Sequence, residues 1–555
     1  MMARELHTVL EPSSDAGPRE PSRPGRRRRL VPLLVALLLA QMAVAMVTTA
    51  VRQTPTIDEP VYVATAADYL HEHRVHYNPE HPPLGKLVVA VGVAVADPHV
   101  DPSFTGTQEA AGRHLLYESG NDPWRVMLWA RLPVIVLTLL FGLVVFAFAR
   151  DLAGRAPALT ALTLYAFSPD VVAHGSLATL DVPAAGFLLT SAWLLWRARQ
   201  GRPRLYLPLA GVALGAGLAT KMSTLPAIPV LMALAALSMW ARRPRDLRRA
   251  LGAAGVVAVS AVAVVWAAYL VVDPLLRWDP RSVQFQVPVV HGLRGLLVRL
   301  LPFPEAYRDG MRIQFGLENQ SWQGFLFGHV YSGSRWYYLP VALAVKTPLG
   351  MLALWAAGAV TMVAVRRLRP AAPYVLLPAA VLLASAMTGS RDLGTRYAVF
   401  LPMFLAVAAG CVLAVRRRWA PVGVAALVAF VAVSSLRTYP YYLPYSNEAF
   451  GGPSKTHLRL HDSNVDWGQD LGRLADRLRS RYRGERVWLV YKGSGVPAAY
   501  GIEASDPRRA PASRVHGLLV VSDSAAAKAK GPLAELLRSS RPVDEVGHSI
   551  TLYRR

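Results

Sequence analysis

The sequence predicts a polytopic α-helical membrane protein with a small α/β unit at its C-terminal end. Three observations point there. Apolar runs near membrane-spanning length recur from about residue 30 to 436 of the 555-residue chain, which is 53% hydrophobic. Basic clusters fall in the short segments between those runs. After residue 436 the composition turns soluble, and β-rich runs alternate with amphipathic ones.

Residues 1–29 are rich in Pro, Ser and charge and read as a disordered cytoplasmic tail. The block "RRRR" at 26–29 precedes the first apolar run and holds the N-terminus inside. That run is long for a signal-peptide core, so an uncleaved span is expected. Spans are expected near 30–51, 126–149, 156–173, 183–197, 205–220, 223–240, 251–272, 340–364, 372–388, 397–415 and 419–436. Alternation then puts "RDLAGR", "RARQGRPR", "ARRPRDLRR", "RRLR" and "RRR" all on the N-terminal side. One miscounted span would throw later clusters onto the opposite side, so the charge pattern favours an odd number of spans, about eleven.

The outer side receives a first loop at 52–125, a turn "AHGSLATLDVP", a loop at 273–339, "GSRDLGTR", and the tail 437–555. In the tail, "DWGQDLGRLADRLRSRY" and "PLAELLRSS" have helical spacing, and "RVWLVYK", "GLLVVSD" and "SITLYR" read as strands. A small extracytoplasmic α/β domain is expected.

Composition narrows the function classes. The net charge of +24 would suggest nucleic acid in a soluble protein, but here the excess lies at span ends, as topology signals and anionic-lipid contacts do. The single cysteine, Cys411, excludes an intramolecular disulfide and a cysteine-based zinc site.

The outer face collects the chemistry. "TPTIDEPVYVATAADYL" sets two adjacent carboxylates, Asp58 and Glu59, just past the first span. Acids in the first turn of a helix also suit its dipole, so the pair alone decides nothing. "HPPLGK" follows at 81–86 and leads into an apolar stretch too short to span, read as a helix in the interface with Lys86 near headgroup level. Arg131 lies in "MLWARLPVIV", Asp181 in "SLATLDVPAAGFLL", Lys221 in "GLATKMSTLP" and Arg396 in "TRYAVFLPMF". Cations on the outer side run against the positive-inside bias, and ionisable residues at membrane depth point to function. Asp181 before Pro183 also suits a helix start. "DSNVDWGQD" at 462–470 lacks the glycine and glutamate of a calcium loop and reads as a capped helix start.

The Asp-Glu pair and "HPPLGK", in that order after the first span, resemble the protein O-mannosyltransferase family and its bacterial relatives, within the GT-C superfamily of polyprenyl-phosphate-sugar glycosyltransferases. "MLWARLPVIV", "SLATLDVPAAGFLL" and the Arg-Tyr of "TRYAVF" are similar to further family segments. The resemblance implies a GT-C-like membrane domain over 30–436 and transfer of a sugar, mannose among the options, from a polyprenyl phosphate to a hydroxyl acceptor on the outer face, with inversion. The acceptor would be a protein Ser/Thr, a lipid or a glycan. It makes Asp58 the base, Glu59 its neighbour and Asp181 a second acidic site. Lys86, Arg131, Lys221 and Arg396, with His81, become the substrate-binding set. His81 and His174 could join the carboxylates at a metal; some GT-C relatives use a divalent cation, but no metal or cofactor is expected here. The 273–339 loop is too short for the β-trefoil module of the eukaryotic enzymes, so their acceptor recognition does not transfer. The location implied is the plasma membrane, with the N-terminus cytoplasmic.

Two other classes compete. A transporter or flippase of lipid-linked sugars would carry charges in mid-span or inverted repeats, and neither is visible. A non-catalytic scaffold gives no reason for "DEP" and "HPPLGK" to share a loop.

Overall fold

The computed structural model describes residues 25–242, 245–280 and 284–555. Most of the tail expected at 1–29 lies outside them; from Gly25 the chain is already in the first helix, Gly25–Arg52. The membrane region is mostly helical, and each expected run carries helix. Among the described residues, length and composition alone qualify four helices to cross a membrane, Leu30–Arg52, Pro123–Ala153, Leu247–Val272 and Ala420–Thr438, or five if the bent pair Tyr338–Lys346 and Leu349–Ala364 counts as one span. The count of about eleven therefore rests on the charge pattern and not on helix length.

Two expected spans are broken. The run at 156–173 divides into Arg155–Ala166 and Pro169–Gly175, where Ser168 caps the second piece ahead of its N-terminal proline. The run at 340–364 divides into Tyr338–Lys346 and Leu349–Ala364, bent by 119°. Pro348 forces the break, because the residue before a proline is driven out of the helical region.

The "HPPLGK" segment starts the Leu84–Ala96 helix, as expected, but Lys86 is fully buried and not at an exposed level. The helix lies against Pro123–Ala153 so closely that a Cβ on Gly92 would fall 1.9 Å from the Trp129 carbonyl oxygen.

The tail forms a four-stranded sheet in the order β3-β4-β6-β5, from Val487–Val490 (β3), Leu518–Ser522 (β4), Arg541–Val546 (β5) and Ile550–Arg554 (β6). A separate hairpin pairs Gln323–Leu326 (β1) with His329–Ser332 (β2). β3 and β4 are parallel, and the other pairs of the tail sheet are antiparallel. Alternation sends Leu518 and Val520 towards the Leu471–Arg481 helix, and Leu519 and Val521 towards Gly531–Arg538. β5 was not expected: "RPVDEV" is mostly exposed and polar, and it is an edge strand. The helix expected from 466 begins only at Leu471, and "DWGQD" is irregular chain packed against the membrane helices.

Gly92→Val should destabilise the protein by about 1–3 kcal/mol through overpacking, read as a lowered unfolding midpoint in detergent. An unchanged midpoint would mean that this helix contact is loose.

A buried site of paired charges

The side chains singled out in the sequence gather at one end of the bundle. They come from the chain after the first helix, the start of Pro123–Ala153, the start of Asp181–Gln200, the end of Pro203–Leu218 and the turn before Phe400–Gly410.

At its base lies Glu59 with Arg131, both buried. Arg131 Nε donates to Glu59 Oε1 and Nη2 to Oε2, each at 2.7 Å. Nη1 donates to the Ala50 and Gln53 carbonyls at 2.7 and 2.8 Å, and Nη2 also to Thr54 O at 3.2 Å. All five guanidinium donors are thus used within the protein. Glu59 further accepts from the Thr56 amide and hydroxyl and the Ala178 amide at 2.8, 3.0 and 2.8 Å. Burial pushes the Glu59 pKa up, but the Arg131 charge and these hydrogen bonds outweigh it and leave it below the ordinary value. The geometry gives Arg131 no donor for a phosphate and Glu59 no free oxygen for a proton.

Lys86 is occupied in the same way. Its Nζ donates to the Asn78 carbonyl at 2.7 Å, Asn78 Oδ1 at 3.2 Å and the His81 carbonyl at 2.6 Å. It ties down the loop that leads into its own helix. The sequence showed these two cations but not the carbonyl groups that the fold would aim at them.

The remaining charges form two pairs on one aromatic ring. Arg396 Nη1 donates to Asp58 Oδ2 at 2.5 Å, and Lys221 Nζ to Asp181 Oδ1 at 2.5 Å. The Tyr397 ring lies 5.1 Å from the Arg396 guanidinium and 5.6 Å from the Lys221 ammonium. Asp181 is buried, whereas the Asp58 side chain keeps 27% exposure. Asp58 heads the Glu59–His71 helix without capping it.

His81 completes this side of the site. Burial, with Lys221, Lys86, Arg391 and Arg396 nearby, holds its pKa well below the usual imidazole value, so it is neutral. Its Nδ1 lies 3.4 Å from Gln314 Nε2. His174 is buried, and its ring nitrogens have no protein partner among the described residues. Also among the described residues, no group of three His, Cys, Asp or Glu side chains is placed to hold a metal.

The tail adds what sequence reasoning missed. The Trp467 ring lies under Arg396 at 4.4 Å and meets His174 edge-on at 6.1 Å. Asp466, one residue before it, has its pKa pushed up to about 7 by burial, which Lys492 only partly offsets. Capping preferences make "DSNVDWGQD" read as a helix start, and its spacing gives no sign of the Trp467 contacts with Arg396 and His174.

Fold and site together define a polytopic helical membrane protein with paired buried charges where its helices end. Residues 35–279 match the model of the dolichyl-phosphate-mannose-protein mannosyltransferase family. The matched stretch holds Asp58, Glu59, His81, Lys86, Arg131, Asp181 and Lys221, and ends before Arg396 and Trp467. An undecaprenyl phosphate-alpha-4-amino-4-deoxy-L-arabinose arabinosyl transferase of Edwardsiella ictaluri (strain 93-146) is 30% identical over 220 residues, 36% of this chain and 39% of the relative's length. Among solved structures, ArnT from Cupriavidus metallidurans bound to undecaprenyl phosphate aligns over 95% of this chain and 98% of that one, at 16% identity and a TM-score of 0.48. The S. cerevisiae Pmt1-Pmt2 complex bound to the sugar donor aligns over 44% of this chain and 33% of that one, at 17% identity and a TM-score of 0.34. At such scores neither likeness decides fold or function.

Glu59→Gln should cost about 3–5 kcal/mol, because it strands the Arg131 charge away from water. Glu59→Leu with Arg131→Met should cost less than the sum of the two single changes, as a double-mutant cycle of thermal melts would show. Asp466 makes a pH prediction. Its folded pKa lies above the unfolded value of 3.8, so the folded state binds more protons between about pH 4 and 7, and stability falls as pH rises through that window. Asp466→Asn should remove that part of the slope; parallel stability curves would exclude it.

Proposed function

We propose that the protein is a membrane glycosyltransferase that moves a sugar from a polyprenyl-phosphate donor to an acceptor hydroxyl on the outer face, with inversion at the anomeric carbon. The observation that carries this reading is the double pairing of Asp58 with Arg396 and of Asp181 with Lys221 on one ring.

The reaction needs a base at the acceptor and cations at the leaving phosphate. Asp58 suits the first role. It keeps some access to solvent, and among the described residues only Arg396 binds its carboxylate. The acceptor oxygen gives its proton to Asp58 and bonds to the anomeric carbon as the bond from that carbon to the phosphate oxygen breaks. Polyprenyl phosphate departs with the bonding electrons. Arg396 and Lys221, held ready by the two carboxylates, receive its charge, with His81 a neutral donor beside them. Asp181 keeps Lys221 in place. Glu59, Arg131 and Lys86 are positioning groups: they fix the backbone on either side of the reacting residues. This reading invokes no metal.

The comparisons support the donor class. The family's description names dolichyl-phosphate-mannose, and the relative's name an undecaprenyl phosphate-linked aminoarabinose. Both are sugars on a polyprenyl phosphate, and the proposal commits to that leaving group. The acceptor is a hydroxyl of a protein, lipid or envelope glycan. The same reading puts the protein in the plasma membrane, with its N-terminus in the cytoplasm and its α/β tail outside.

The test is transfer of radiolabelled sugar from a polyprenyl-phosphate pool in membranes that contain the protein. Asp58→Asn should lower the rate about 10²–10⁴-fold, and Arg396→Gln about 10²-fold. A wild-type rate in the Asp58 variant would remove the base assignment. Sugar accumulating inside vesicles without a new glycosidic bond would favour a flippase instead.

A further inference from the structure

The Asp58–Arg396 pair joins residues 338 positions apart, and the tail touches both sides of it. The Trp467 ring faces the Arg396 guanidinium at 4.4 Å. The Trp467 carbonyl accepts the Ile57 amide at 3.0 Å, one residue before Asp58. Neighbours of Trp467 extend both grips. Thr54 N donates to Gln469 O and Thr54 Oγ1 to Gly468 O, each at 3.0 Å. On the other side Ser463 Oγ donates to Leu393 O at 2.7 Å, and Thr395 N to Asn464 Oδ1 at 3.0 Å. A Cβ on Gly394 would lie 2.1 Å from Ser463 Oγ, so the Ser463 side chain occupies the space beside the Gly394 backbone.

We propose that Trp467 is a positioning residue of the active site, and that the tail segment 461–470 is a clasp without which Asp58 and Arg396 are not held in register. The argument is geometric. Among the described residues, Arg396 has one charged hydrogen bond, to Asp58, and a contact at 3.3 Å with the Tyr397 hydroxyl, and its Nε is buried without a partner. Arg131, by contrast, is fixed by the five hydrogen bonds that it donates. A guanidinium held by so few hydrogen bonds takes its orientation from the faces against it, and Trp467 is the closer of its two aromatic faces. Trp467 is itself almost fully buried, so it has no other place to go. The indole thus sets the plane of the cation, while its own main chain sets the height of the base. Its place in catalysis rests on the function proposed above; its hold on Arg396 does not.

The experiment separates the two. Purified full-length protein in detergent is treated with phenylglyoxal, which modifies accessible arginine, and labelling of Arg396 and Arg131 is followed by mass spectrometry. In parallel, binding of farnesyl phosphate is measured. Trp467→Leu should raise the Arg396 labelling rate about tenfold and leave Arg131 within about twofold, with Trp467→Phe in between. Farnesyl phosphate should bind about tenfold more weakly to the Leu variant, and the same change should add nothing once Arg396→Gln is present. A wild-type labelling rate at Arg396 in the folded Leu variant overturns the proposal. Faster Arg396 labelling with unchanged farnesyl phosphate binding upholds the clasp and removes the phosphate role of Arg396. Should the Leu variant unfold, Arg131 labels too, and Trp467→Phe then decides: a rate equal to wild type is the overturning result.

Discussion

A carboxylate and a guanidinium shut away from water hold this structure's working end together. Each would be costly to bury alone, and the pair is tolerable only because every remaining hydrogen-bonding position is filled. Those positions are filled by backbone. Arg131 collects carbonyls from the end of the first helix and the turn beyond it; Glu59 collects amides from that turn and from the approach to Asp181. Three separate stretches of chain are thereby fixed to one point, and Asp58 is carried by the residue next to that point.

The division of labour among the cations follows from what surrounds them. Arg131 donates to three main-chain carbonyls and the buried Glu59 carboxylate, and Lys86 to two main-chain carbonyls and the Asn78 side chain, so the donors of both are committed within the protein. Lys221 ends on a single carboxylate and the Tyr397 ring, and Arg396 on a single carboxylate, the Tyr397 hydroxyl and two aromatic faces; in the proposed reading a phosphate oxygen competes for both. Four cations that look alike in sequence therefore separate into two kinds.

Much of this was legible in the sequence, for definite reasons. Charge alternation put Asp58, Asp181, Lys221 and Arg396 on one face, because topology signals are additive and local. Three strands of the tail sheet and its helices at Leu471–Arg481 and Gly531–Arg538 were visible through their periods, whereas the polar edge strand β5 was not. Other features were hidden. Whether a lysine reaches solvent or a carbonyl depends on packing between segments, which is why Lys86 was expected at an exposed level and Arg131 at a phosphate. The bend after Lys346 was hidden inside a long apolar run, with Pro348 as its one trace. Trp467 was hidden because its partners lie in two membrane segments far away in sequence, and no motif within "DSNVDWGQD" refers to them.

The clasp also has a bearing on the order of events during synthesis. Residues 54–58 emerge early, and the segment that grips them is made only after some four hundred more residues. Until then the first loop has its buried salt link but no tail segment on its flank, and Asp58 and Arg396 lack the segment that touches both sides of their pair. Contacts of such sequence separation close late in folding. On the function proposed, a partly translated chain would thus hold its membrane helices while sugar transfer waited for the tail to reach the site.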